Sequence, residues 1–215
     1  MIMRPLVIAV YEPRWFMRVL NILRKRSVPF SIFESVDNIP YSSVFYTDYS
    51  FFVNQVRDRG DLYIVYDPMH SCRELERSIL AMKFKDYYNE VVVGIDPGKK
   101  PYMVIIGDGE ILEHKYIDLS RVEEEIVGYL NCYPARQKLV RVGGGYNGWR
   151  IILRIREVID SRIEVVDEEE TTPKQNRVDD LVVLDKYLSK LSKPYRNKDA
   201  YAALKIALRK GIEVE

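Results

Sequence analysis

Three acids set far apart along the 215-residue chain, Asp96, Glu168 and Asp199, have the residue type and placement for metal chemistry. Hard oxygen donors gathered from separate segments suit Mg²⁺ or Mn²⁺, two of which can activate water and stabilise a leaving oxygen. Asp96 ends the run Val91-Val92-Val93-Gly94-Ile95-Asp96 and is followed by Pro97-Gly98. A continuous β-branched run marks a strand covered on both faces, and Pro-Gly forces a turn, so the strand delivers one carboxylate at its end. Taken alone, a turn-initiating Asp explains the same residues. Glu168 sits among Asp167, Glu169 and Glu170, which leaves open which acid would face a metal. Asp199 opens the segment Asp199-Ala200-Tyr201-Ala202-Ala203, where a first-turn acid also complements a helix dipole.

The elements that must hold these acids follow from periodicity. Residues 90–215 read as three hairpin-linked strands, with Gly107-Asp108-Gly109 as the turn between the second and third. Then come a helix capped by Ser120 with Glu123, a strand over Lys138–Val142, a helix over Trp149–Ile159 and a strand over Arg162–Val166. Two helices follow, around Val178–Leu191 and Lys198–Lys210. Asp96 thus falls on the first strand, Glu168 after the fifth, and Asp199 at the start of the last helix.

Residues 1–89 read as a separate, small Rossmann-like α/β domain, strands alternating with helices, with Ser71 and Glu74 forming a capping box. Glu12 and Asp67 end strands at the edge where open α/β sheets bind ligands. Each precedes a proline and no glycine-rich phosphate loop follows the first strand, so turn initiation is the favoured reading. Asp67, His70 and Cys72 at a helix start lack the further ligands of a metal site.

Composition bounds the partners. The formal charge of +1 carries no argument for nucleic acid, but eight bases between Lys186 and Lys210 stand against Asp199 alone, enough to follow a phosphate backbone or simply to solvate two helices. Scarce glutamine with abundant Lys, Arg and Glu fits the avoidance of thermolabile amides in thermophiles. Cys72 and Cys132 make no metal spacing and are expected as free buried thiols. No apolar run long enough to cross a bilayer and no signal-peptide pattern at the start point to a cytoplasmic protein without a membrane partner.

Residues 90–210 resemble the RuvC-like nucleases of the ribonuclease H superfamily, most of all the YqgF (RuvX) type. The resemblance is carried by Gly94-Ile95-Asp96-Pro97-Gly98, by Val165-Val166-Asp167-Glu168-Glu169-Glu170-Thr171-Thr172, by Asp199-Ala200-Tyr201-Ala202-Ala203, and by the strand and loop from Val140 to Gly148. It implies a mixed five-stranded ribonuclease H-like sheet with flanking helices, Asp96, Glu168 and Asp199 as catalytic metal ligands, and a nucleic-acid partner, DNA or RNA, branched or structured. A symmetric homodimer would suit resolvase-type cutting. Lys99, Lys100, Lys174, Arg177, Arg196 and Lys198 are the phosphate-contact candidates. The sequence departs from the resolvases at Gly143–Tyr146, which has no acid where they carry a glutamate, and Glu169-Glu170 replaces the Arg-Leu of the YqgF pattern. Two other classes share the fold: a nucleic-acid scaffold without turnover, and an actin-like ATPase. The ATPase would need Thr or Ser after the first turn, where Lys99-Lys100-Pro101 stands.

Overall fold

The computed structural model of the chain describes residues 3–167 and 198–214. It divides into two compact units, Met1–Tyr88 with Asn131–Pro134, and Asn89–Leu130 with Ala135–Glu215. Among the described residues no helix is long and apolar enough to cross a membrane.

The first unit contains β1 (Leu6–Ala9), α1 (Pro13–Lys25), β2 (Ser31–Ile32), β3 (Val44–Thr47), α2 (Ser50–Gln55), β4 (Tyr63–Tyr66) and α3 (Cys72–Met82). Its strands are parallel in the order β2-β1-β3-β4, so the strand order reverses between β1 and β3. β1 and β3 are buried along their whole length, as apolar runs in a parallel sheet must be. Trp15, Val19 and Leu23 of α1 and Leu75 and Ile79 of α3 pack on Leu6, Ile8, Val44 and Tyr46, while Val7, Ala9 and Phe45 pack with Ile39 and Val56.

Both acids that end strands here serve helix starts. The Glu12 carboxylate accepts the Trp15 amide at 2.5 Å. Buried Asp67 accepts the Ser71 amide at 2.8 and 2.9 Å and the Tyr46 hydroxyl at 2.5 Å, and that hydroxyl oxygen in turn accepts Trp15 Nε1–H at 2.8 Å. This replaces the expected capping box: Asp67 holds the amide that Glu74 was expected to reach, and Glu74 pairs with Arg77 instead. The expectation of free thiols is also corrected, because Cys72 and Cys132 are disulfide-bonded. Their Cα atoms are 5.3 Å apart, within the range a disulfide spans.

The second unit holds β5 (Tyr88–Asp96), β6 (Tyr102–Gly107), β7 (Glu110–Tyr116), α4 (Val122–Cys132), β8 (Ala135–Gly143), α5 (Tyr146–Ile155), β9 (Arg162–Val166), α6 (Lys198–Leu208) and β10 (Ile212–Glu213). The sheet order is β10-β9-β8-β5-β6-β7, with β6 antiparallel to both neighbours and β9 parallel to β8. The unit is thus a mixed α/β one built on a six-stranded sheet. The sixth, β10, was not anticipated, being only two residues paired antiparallel to β9.

The β6–β7 hairpin turns on Asp108 (φ 46°) and Gly109 (φ 78°), the two left-handed positions that an Asp-Gly type I′ turn supplies. Ahead of α4, Asp118 rather than Ser120 is the cap: its Oδ1 accepts the Ser120 amide at 2.8 Å, starting a 3₁₀ turn over Leu119–Arg121. Glu123, expected in a capping box, instead forms a two-point pair with Arg154 of α5. The helix expected around Val178–Leu191 lies outside the described residues.

Candidate functional site

Asp96 is the last residue of β5, and its orientation follows from strand register. It pairs directly with Tyr102 on β6, which pairs with Tyr116 on β7. Residues directly opposite in antiparallel strands share a face, so this row of three lies on one side of the sheet. Val92 and Gly94, two and four residues earlier in β5, share that side with Asp96.

α6 covers this face. Ala200, Ala203, Leu204 and Ala207 form one core cluster with Val92, Tyr102, Val104 and Leu139. The helix lies so close over Gly94 that a Cβ there would stand 2.5 Å from the Ala203 carbonyl oxygen and 2.5 Å from Ala207 Cβ. Glycine in the strand and alanines in the helix therefore permit an approach that any larger pair would block. Arg141 of β8 anchors the other end of the helix, donating to the Ala207 carbonyl at 2.7 Å and to Glu164 of β9 at 2.8 Å.

The consequence is that Asp199, in the first turn of α6, is brought to Asp96. Burial, and then the negative charge of Asp199, raise the Asp96 carboxyl above its usual range, partly offset by the hydrogen bond from the Gly98 amide. The Tyr116 hydroxyl donates to Asp199 Oδ2 at 2.9 Å. Tyr102 packs edge-on against Tyr116, with ring centroids 4.7 Å apart, and its hydroxyl lies 2.7 Å from His114 Nδ1. Tyr116 and Tyr102 were not among the residues singled out from sequence. The signal was present in the hairpin register, but a bulge at Ile105/Ile106 shifts that register so that Tyr116, and not Lys115, faces Tyr102.

The neighbouring strand ends meet at the same edge. A Cβ at Gly148 of α5 would collide with the Gly143 carbonyl and lie 3.5 Å from Pro97 Cγ, so the end of β8 adjoins the turn after Asp96. The Gly144 amide donates to the Val166 carbonyl at 2.7 Å, which places the end of β9 and exposed Asp167 beside it. Lys99 and Lys100 are exposed in the turn after β5, and Lys198 is exposed at the start of α6. Glu168, Lys174, Arg177 and Arg196 lie outside the described residues. Among those described, no three His, Cys, Asp or Glu side chains gather as a metal site. The Asp96–Asp199 pair nevertheless fits a divalent cation chemically, since two hard oxygen donors of like charge gain from a cation between them.

Fold and site together define a mixed α/β protein with a carboxylate pair at the edge of its larger sheet. No family model and no curated protein matches the chain. Among solved structures it is similar to T. thermophilus RuvC in complex with a Holliday junction substrate, at 16% identity and a TM-score of 0.42, over 55% of this chain and 90% of that one. It is also similar to Marinitoga piezophila Argonaute in complex with a 5′-OH guide RNA (12% identity, TM-score 0.27, 76% of this chain and 39% of that one). A. aeolicus Argonaute gives 10% identity and a TM-score of 0.26, over 77% of this chain and 34% of that one. The likeness is one of shape at these values, and function is read from the chain's own side chains.

Proposed function

We propose that the chain is a metal-dependent nuclease that hydrolyses phosphodiester bonds in DNA or RNA. Asp96 and Asp199 would hold Mg²⁺ or Mn²⁺, with Glu168 from the acidic run completing the set. What supports this reading is that Asp199, on a helix that crosses Gly94, lies near enough to Asp96 for its charge to raise that carboxyl. Like charges brought together oppose folding, and a bound cation reverses the sign of that interaction.

When bound, the ions supply Lewis acidity and a water of lowered pKa. The chain's own residues do the rest. β5 and the Gly98 amide fix Asp96, and the Tyr116 hydroxyl fixes the orientation of Asp199. Lys99, Lys100 and Lys198, exposed near the two acids in sequence, are the bases proposed to meet substrate phosphates, joined by Lys174, Arg177 and Arg196.

The test is cleavage of a labelled panel (single strand, duplex, RNA–DNA hybrid, four-way junction, structured RNA) with and without Mg²⁺ or Mn²⁺. Metal-dependent cutting that disappears in Asp96→Asn, with the fold intact by circular dichroism, is the expected result. Tight binding without cutting in any metal would make the chain a scaffold and overturn the catalytic assignment.

A further inference from the structure

Among the described residues no metal-ligand cluster gathers at the carboxyl edge of the first unit's parallel sheet, and aromatic rings are exposed there. Open parallel sheets bind ligands in the crevice where strand order reverses, here between β1 and β3. At that point Tyr11, just after β1, stacks on Tyr49, just after β3, with ring centroids 4.5 Å apart and planes 23° apart. Phe51 continues the series 6.0 Å from Tyr49, tilted by 35°. The three rings are 66%, 38% and 53% exposed.

This arrangement is held from beneath. The Asp48 side chain, only 3% exposed, accepts the amides of Tyr11 at 2.7 Å and Glu12 at 3.1 Å, and lies 3.1 Å from His70 Nε2. One buried carboxylate thereby ties together the segments after β1, β3 and β4. The rings are pre-positioned before any ligand arrives, which lowers the ordering cost of binding.

The chemistry of the edge narrows the ligand. A stacked pair of exposed rings, with a third tilted beside it, suits flat, heteroaromatic partners. A mononucleotide would also need a cradle for its phosphate, and the start of α1 does not offer one: Pro13 has no amide N–H, and Glu12 occupies that of Trp15. Carboxylates at Glu12 and Asp48 further disfavour a phosphate held there. Bases can approach such an edge when their phosphates face outward, where Arg14 and Arg18 of α1 are exposed.

We propose that Tyr11, Tyr49 and Phe51 form a stacking platform for the unpaired bases of a single-stranded nucleic acid. The proposal rests on the nucleic-acid reading above and adds a strand-selective contact to it. The experiment uses the full chain in EDTA, where cutting cannot occur, and follows the fluorescence anisotropy of a labelled 12-nucleotide single strand and of the matching duplex. Tyr11→Ala, Tyr49→Ala and Phe51→Ala should each weaken single-strand binding roughly ten- to a hundredfold. Duplex binding should stay unchanged, and Tyr11→Phe should retain wild-type affinity. A 5-iodouridine strand should crosslink at these rings.

Tyr11 is exposed, so its truncation leaves the core intact, and a thermal melt of each variant checks this. If wild type binds and cuts while all three alanine variants bind the single strand equally well, the platform is wrong and the nuclease reading stands. Ring-dependent binding of free nucleotides with no preference for a strand would also overturn it. If wild type does not bind the single strand, the platform falls, and the nuclease reading is decided separately by the cleavage panel.

Discussion

Tyr116 reaches Asp199 across 83 residues of sequence, and this hydrogen bond helps to orient one of the two carboxylates. Groups that orient a metal ligand typically matter about 10- to 100-fold in metal affinity or activity. Tyr116→Phe is therefore expected to weaken Mn²⁺ binding by about tenfold in calorimetry while leaving the fold unchanged. In metal-free buffer, Asp199→Asn should raise the melting temperature slightly by removing a like charge from beside Asp96, and it should abolish metal-dependent cleavage. A buried acid elsewhere behaves in the opposite way. Burial alone would raise the Glu164 carboxyl, but hydrogen bonds from Arg141 and the Gly211 amide, with the charges of Arg141 and Arg162, hold it below its usual range. The stabilisation it contributes is complete above the ordinary carboxylate range and is lost as pH falls through the lowered folded value. Arg141→Met should cost roughly 3 kcal/mol in urea unfolding at pH 7, and much less near pH 3. Asp96 and Asp199 were legible in the sequence as candidates because each sits in a short motif. The tyrosines were not, because cross-strand neighbours depend on register.

Gly94 decides how the last helix meets the sheet. Adding one methyl at this position forces α6 away from β5, since the Ala203 carbonyl and Ala207 Cβ already occupy the space. Gly94→Ala should destabilise the protein by about 1–3 kcal/mol in chemical denaturation, the usual range for overpacking. Cleavage should fall more steeply than stability, because the displaced helix carries Asp199. The expectation of a strand ending in an acid, an Asp-Gly hairpin and a closing helix came from patterns that local sequence fully encodes: β-branched runs, positive-φ turn residues and spaced apolar positions. What local sequence did not encode were the choices between competing polar groups. Asp67 rather than Glu74 serves the Ser71 amide, and Asp118 rather than Ser120 starts the turn before α4. In each case a carboxylate close by wins an amide that a capping rule assigns to another side chain. The bulge in β7 and the two-residue β10 were equally hidden, since neither has a sequence signature.

At the scale of the molecule, the disulfide between Cys72 and Cys132 closes a loop with a sequence separation of 60. Loop-closure entropy for this length stabilises by about 4 kcal/mol. Cys72→Ser, or a reductant, should thus lower the melting temperature markedly. Identical melts of oxidised and reduced protein would show that the bond contributes nothing. The change in pattern near residue 90, from alternating strands and helices to a run of antiparallel strands, was readable in the sequence. The pairing of the cysteines was not, because spacing in sequence carries no information about closeness in space. The first unit also includes Asn131–Pro134, where Cys132 supplies the disulfide and the Pro134 carbonyl accepts the Tyr88 amide at 2.9 Å. A ribosome making this chain finishes the bulk of that unit long before it makes the piece that completes it. At about 5–20 residues per second, the interval between Tyr88 and Pro134 is a matter of seconds. Through that interval the nascent first unit waits with one thiol and one strand-end amide still without their partners.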